Sequence, residues 1–160
     1  MAARKPLVIV AGQIEQLQSG DTLSATVAEV ETITQTNGEA DALVIGSAVY
    51  NDAADSVKRG QSNAAATSEI IGFATAATIA TGQPATVQTS GVLEATTDQW
   101  DAMSDLTGGL NVGEVYYLDD AVAGEITATA PTTAAKYVVR VGRAISTTGL
   151  LIEIRAPILL

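Results

Sequence analysis

Along most of the chain apolar residues recur at every second position, the spacing of a half-buried strand. The alternation is cleanest near the C-terminus, where Leu150, Ile152 and Ile154 alternate with Leu151, Glu153 and Arg155 until Pro157 ends the run. Upstream, Tyr137, Val139 and Val141 share one face and Lys136, Val138 and Arg140 the other, and Thr147-Thr148-Gly149 supplies the turn between the two strands. Residues 32–36 run into Asn37-Gly38, a dipeptide that tolerates positive φ, and residues 43–50 follow as an apolar strand. That pattern predicts a tight hairpin. Residues 70–74 and 85–91, separated by Gly82-Gln83-Pro84, read as further short strands at the spacing of sandwiches and barrels. Residues 51–68, rich in Ala, Ser and Asn, fit an irregular strand, a loop or a short helix equally well.

One helix is predicted, near residues 97–107. Thr96 offers a capping hydroxyl with Gln99 three positions on, Trp100, Met103 and Leu106 share a face, and Gly108-Gly109 ends the turn. The expected fold is therefore mainly β: an antiparallel β-sandwich or jelly-roll-like domain over residues 21–160, with one short helix and an N-terminal strand or arm over residues 1–20. Arg4 and Lys5 ahead of the apolar residues 7–11 imitate a signal peptide, but the run is too short and gives way to polar residues without a cleavage context. No apolar run approaches the eighteen or so residues that span a bilayer, so no membrane partner is expected.

Composition narrows the chemistry. The 160 residues include 28 Ala and 20 Thr but only six aromatic rings, which favours small, closely packed side chains over large anchors. Without Cys or His there is no disulfide framework, thiol nucleophile, imidazole base, or thiolate or imidazole zinc site. A net charge of −10 disfavours binding to nucleic acid, where affinity comes largely from Lys and Arg displacing counterions. The charge is also uneven. Residues 60–135 hold nine acids and no base, whereas residues 136–160 hold four bases and one acid. Such a division can be neutralised within the fold or across an interface between copies, and it also suits a solvated acidic face.

Each constellation with chemical potential has a plainer reading beside it. Asp98, Asp101 and Asp105 lie at helical spacing and are candidates to hold Ca²⁺ or Mg²⁺, yet two of them sit where the helix dipole favours acids and no ordered ligand loop is present. Glu114 with Asp119 and Asp120 is a candidate acid/base couple on glycans, a pairing any acidic protein offers by chance. Ser56 and Lys58 are a candidate dyad, which would need a desolvated, neutral Lys. The glycines of residues 108–113 miss the dinucleotide-binding pattern because Leu110 occupies the second glycine position, and φ > 0 turns explain them better. No cofactor, metal or catalytic residue is assigned.

The stretch Gly108-Gly-Leu-Asn-Val-Gly-Glu-Val-Tyr-Tyr-Leu118, then Ala123-Gly-Glu-Ile-Thr127, Pro131, Tyr137-Val-Val-Arg-Val-Gly-Arg-Ala144 and residues 150–160, resembles the C-terminal module of tailed-bacteriophage virion proteins, the capsid decoration (cement) and head or tail fibre proteins. Residues 69–76 and 87–91 and the opening Lys5-Pro-Leu-Val-Ile-Val-Ala-Gly-Gln-Ile-Glu-Gln-Leu17 share the likeness, which is one of pattern and turn placement. The resemblance implies a β-rich, often trimeric module on the outer capsid surface that ties capsomers together. It makes the major capsid protein and further copies of the chain the expected partners, and the expected protein structural, not an enzyme. On this reading Arg4, Lys5, Leu7, Val8, Ile9 and Val10 form an arm that adds backbone hydrogen bonds to a neighbour. The alternative is that residues 7–10 are the chain's own first strand. Trp100, Leu110, Tyr116 and Tyr117 are candidates for an apolar cluster at a threefold contact, with core packing as the alternative. A fibre or spike component is the runner-up, and a small carbohydrate-binding or glycan-active protein the rival from another class.

Overall fold

In a computed structural model of the chain, the backbone is described for residues 7–10 and 13–16, and backbone and side chains for residues 30–160. Strands β1 (Leu7–Val10) and β2 (Gln13–Gln16) pair antiparallel, Leu7 opposite Gln16 and Val10 opposite Gln13. The apolar stretch expected as an arm or first strand is thus one half of a hairpin within its own chain. Arg4 and Lys5 lie outside the described residues.

Five strands close a barrel: β3 (Thr32–Asn37), β4 (Ala48–Ala53), β5 (Ser56–Arg59), β6 (Ile70–Ala74) and β7 (Pro84–Gln88), in the order β3-β5-β4-β6-β7. Every neighbouring pair is antiparallel except β3 and β5, which meet in parallel at only two positions, Thr36 with Ser56 and Asn37 with Val57. Val49, Val57, Ala74, Ala85 and Val87, with Leu43 and Ile79 from the flanking loops, form one buried cluster. A barrel of so few strands has a narrow interior, which suits the Ala- and Val-rich composition. A single helical turn, α1 (Ala65–Ser68), connects β5 to β6.

The C-terminal half supplies β8 (Val92–Glu94), the helix α2 (Thr97–Asp101), β9 (Val115–Leu118), β10 (Ile126–Thr127), β11 (Tyr137–Val138), β12 (Arg140–Ala144), β13 (Gly149–Ile152) and β14 (Ile158–Leu159). Five of these strands form an antiparallel sheet in the order β10-β9-β12-β13-β8, and β11 and β14 make a separate two-stranded ribbon. β12 and β13 form the hairpin expected from residues 136–155, but Tyr137 and Val138, expected in its first strand, lie in β11 and pair with β14. Alternate residues of β4 and β6 serve two cores: Val49 and Ala74 point into the barrel, while Ala48, Ile70 and Phe73 join Trp100, Leu110, Tyr116, Leu118, Val139 and Leu150 in a second, larger cluster.

The mainly β class is as expected, and the barrel is its principal finding. Two local expectations are corrected. The Asn37-Gly38 hairpin does not form: β3 pairs with β7 and β5, never with β4. Asn37 is buried, and its side-chain amide donates to the carbonyls of Ile79 (2.8 Å) and Asp41 (3.1 Å), so it anchors loops inward instead of turning the chain. The helix expected to reach residue 107 stops at Asp101, as the Met103 amide bonds the Trp100 carbonyl three residues back and the Ser104 hydroxyl takes that same carbonyl at 2.7 Å. The predicted capping box is present, the Thr96 hydroxyl accepting from the Gln99 amide and the Gln99 side chain from the Thr96 amide. Residues 51–68 resolve into the end of β4, a turn with Asp55 at φ +56°, β5 and α1.

Candidate functional site

Several of the candidate polar side chains brace turns and strand ends. Asp52 bonds the Ser56 hydroxyl at 2.7 Å and pairs with the Lys58 ammonium at 2.9 Å across the β4–β5 turn. The hydrogen bond to Lys58, then that to Ser56, holds the Asp52 carboxyl below the usual carboxylate range, and the same contact raises the Lys58 ammonium. A nucleophilic dyad needs the opposite, a lysine that loses its proton. Asp101 accepts from the amides of Gly108 and Gly109 at 2.8 and 2.7 Å, and Asp119 from those of Ala121 and Val122. Glu114 and Asp119 flank opposite ends of β9, roughly 17 Å apart at strand rise, beyond the ~5–9.5 Å that glycoside cleavage uses. Among the described residues no group of three carboxylates is placed to hold a metal ion.

The glycines of the 108–113 loop act as turn residues. Gly108, Gly109 and Gly113 have φ of +88°, +86° and +84°. Gly109 is also sterically required, because a Cβ there would run into the Thr147 carbonyl and the Thr97 side chain.

Of the expected contact cluster, Trp100, Leu110 and Tyr116 do come together, but inside one chain. They are 0%, 1% and 0% exposed, which leaves no surface for a second molecule. The core-packing alternative therefore holds for these three. Trp100 Nε1 donates to the Thr148 carbonyl at 2.8 Å, and the Tyr116 hydroxyl accepts from the Asn111 amide at 2.9 Å. Burial pushes the Tyr116 phenol up, which keeps its proton in place. Tyr117 projects to the other side of β9 and is half-buried.

No protein-family model and no curated protein matches the chain. Three consecutive large apolar residues, Ile158, Leu159 and Leu160, are 64%, 60% and 46% exposed on and beside β14. A small pocket of about 230 Å³ opens between Val44, Ile45, Ala77 and Ala102, with Asp98 and Gln99 at its polar side. A broader groove of about 350 Å³ runs between the start of β6 and residues 154–157. The sequence alone did not mark residues 158–160 as surface. The pocket was not legible at all, since it joins residues 44 and 102 through the tertiary fold.

Proposed function

We propose that the chain is a structural virion protein that binds the outer surface of a phage capsid and cements contacts between capsomers as a homotrimer. The observation that carries this reading is the fate of the chemically capable side chains: Asp52, Ser56, Lys58, Asp101 and Asp119 are all spent on turns and strand ends. A scaffold whose polar groups brace its own loops suits a protein that binds and endures, not one that turns substrate over. The resemblance of most of residues 69–160 and of the N-terminal stretch to phage decoration and fibre modules supplies the partner class, the major capsid protein. The mainly β fold, in which the β4–β6 wall of the barrel packs against the C-terminal sheet, supports this reading. No cofactor is assigned.

The test is to quantify this polypeptide against the major capsid protein in purified virions of the source phage. Near-stoichiometric abundance is the expected result. A small fraction of that abundance would move the protein to a fibre or spike, and absence from virions would overturn the reading.

A further inference from the structure

The C-terminal ribbon and the small pocket complement each other in shape and charge. Six Lys and Arg residues lie among the described residues. Four are engaged: Lys58 with Asp52, Lys136 with Asp120, Arg140 with Glu153, and Arg59 with the Ala42 carbonyl. Arg143 and Arg155 are exposed and form no ion pair among the described residues. Arg155 stands three residues before Ile158, about 10 Å along an extended chain and within reach of its long side chain. Cationic and aliphatic groups are thus presented together.

The three apolar side chains project to both faces of the terminal strand, because successive residues of a strand alternate. A flat partner would cover one face and leave the other in water, so burial of the strand requires a concave acceptor. The pocket walled by Val44, Ile45, Ala77 and Ala102 is such an acceptor, and Asp98, an exposed carboxylate with no ion pair among the described residues, stands at its edge. Its volume of about 230 Å³ falls below the ~300–1,000 Å³ usual for small-molecule sites and suits aliphatic side chains better. Among the described residues the pocket is lined by residues 44–45, 77, 98–99 and 102, so the chain's own C-terminal strand does not occupy it.

We propose that the C-terminal strand of one copy docks into this pocket on a second copy, Leu159 or its neighbours entering the apolar walls while Arg155 pairs with Asp98. The two patches differ, so the contact is heterologous, and its repetition closes a ring when the rotation suits. This deepens the homotrimer reading by naming its surface, and it rests on that reading for the number of copies alone.

Sedimentation velocity across a dilution series, with far-UV circular dichroism as a check on folding, tests the contact. The wild type should associate reversibly. Leu159→Asp should weaken association about a hundredfold by placing a charge in the apolar walls. Arg155→Glu and Asp98→Arg should each weaken it about tenfold or more, and the double variant carrying both reversals should recover most of the loss. A wild type that stays monomeric at every concentration would overturn the proposal, as would single reversals that associate normally or a double reversal without recovery. Capsid binding read on the same variants separates the two readings. Loss of capsid binding by a chain that is monomeric throughout would assign the pocket to the capsid protein and overturn this contact. Normal virion abundance without self-association would remove the contact while leaving the capsid reading intact.

Discussion

Trp100 provides the sharpest test of how the molecule is built. It is the single tryptophan, it has no exposed surface, and it packs where the backbone of Gly46 passes close to its ring. Truncating a fully enclosed aromatic side chain costs about 3–5 kcal/mol, the spread reflecting how far the site can collapse. The lost indole hydrogen bond adds only about 1 kcal/mol, because the Thr148 carbonyl still receives the Ala95 amide at 3.0 Å. Domains of this size carry about 5–15 kcal/mol in total and shift their midpoint by about 2–4 °C per kcal/mol. Trp100→Ala should therefore lower the thermal midpoint by on the order of 10–20 °C, and Trp100→Phe by roughly a quarter of that. Denaturant unfolding followed by far-UV circular dichroism, at one fixed low concentration, measures the loss, with light scattering reporting mass. A Trp100→Ala protein that keeps its stability within about 1 kcal/mol but changes its mass would refute the core assignment.

Further predictions concern turns and titrating groups. Gly109→Ala should destabilise by more than Gly113→Ala: both force a side chain into the left-handed region at about 1–2 kcal/mol, but only Gly109 also meets the Thr147 carbonyl, while nothing lies within 4 Å of a Cβ at Gly113. Paired chemical denaturation of the two variants checks this. Thr96→Ala should cost about 1 kcal/mol by removing the capping box, with Thr96→Ser recovering most of it. Burial, with Asp119 and Asp105 nearby, raises the Glu125 carboxyl above its ordinary value of 4.5. The folded state then binds the extra proton, so Glu125 lowers stability progressively as pH rises above that value. Glu125→Gln should be more stable than wild type at pH 7, with the gain vanishing in acid. Asp52 has the opposite sign: its lowered carboxyl stabilises the fold above the ordinary value of 3.8, and that contribution is lost as pH falls through the depressed one. Asp52→Asn should flatten the acid limb of the stability–pH curve.

What was legible in the sequence was local. The β12–β13 hairpin, the strand at residues 70–74 and the Thr96–Gln99 capping box follow from spacing and neighbour chemistry and appear, while the strand expected over residues 85–91 appears one residue earlier and shorter, over 84–88. What failed depended on distant partners. Asn37 fits a turn by local propensity, yet its amide is claimed by Ile79, 42 residues away, and that long-range bond outweighs the dipeptide's preference. The parallel β3–β5 contact that closes the barrel has no sequence signature, because a one-sided alternation looks the same whichever strand lies beside it. Trp100, Leu110 and Tyr116 were found as a group, but only enclosure by β4, β6 and the sheet decides that they face inward. The raised carboxyl of Glu125 depends first on burial by the fold and then on Asp119 and on Asp105, twenty residues earlier, and no periodicity reports such surroundings.

The wall made by β4 and β6 has a consequence for how the molecule comes apart. Val49 and Ala48 are adjacent in the chain yet belong to different cores, as do Ala74 and Phe73. Peeling this wall from the barrel would strip a face from the C-terminal cluster in the same step, so neither half can melt while the other stays intact. Unfolding should then be a single all-or-none transition, with the amides of β4 and β6 the slowest to exchange with deuterated solvent and opening only with the molecule as a whole.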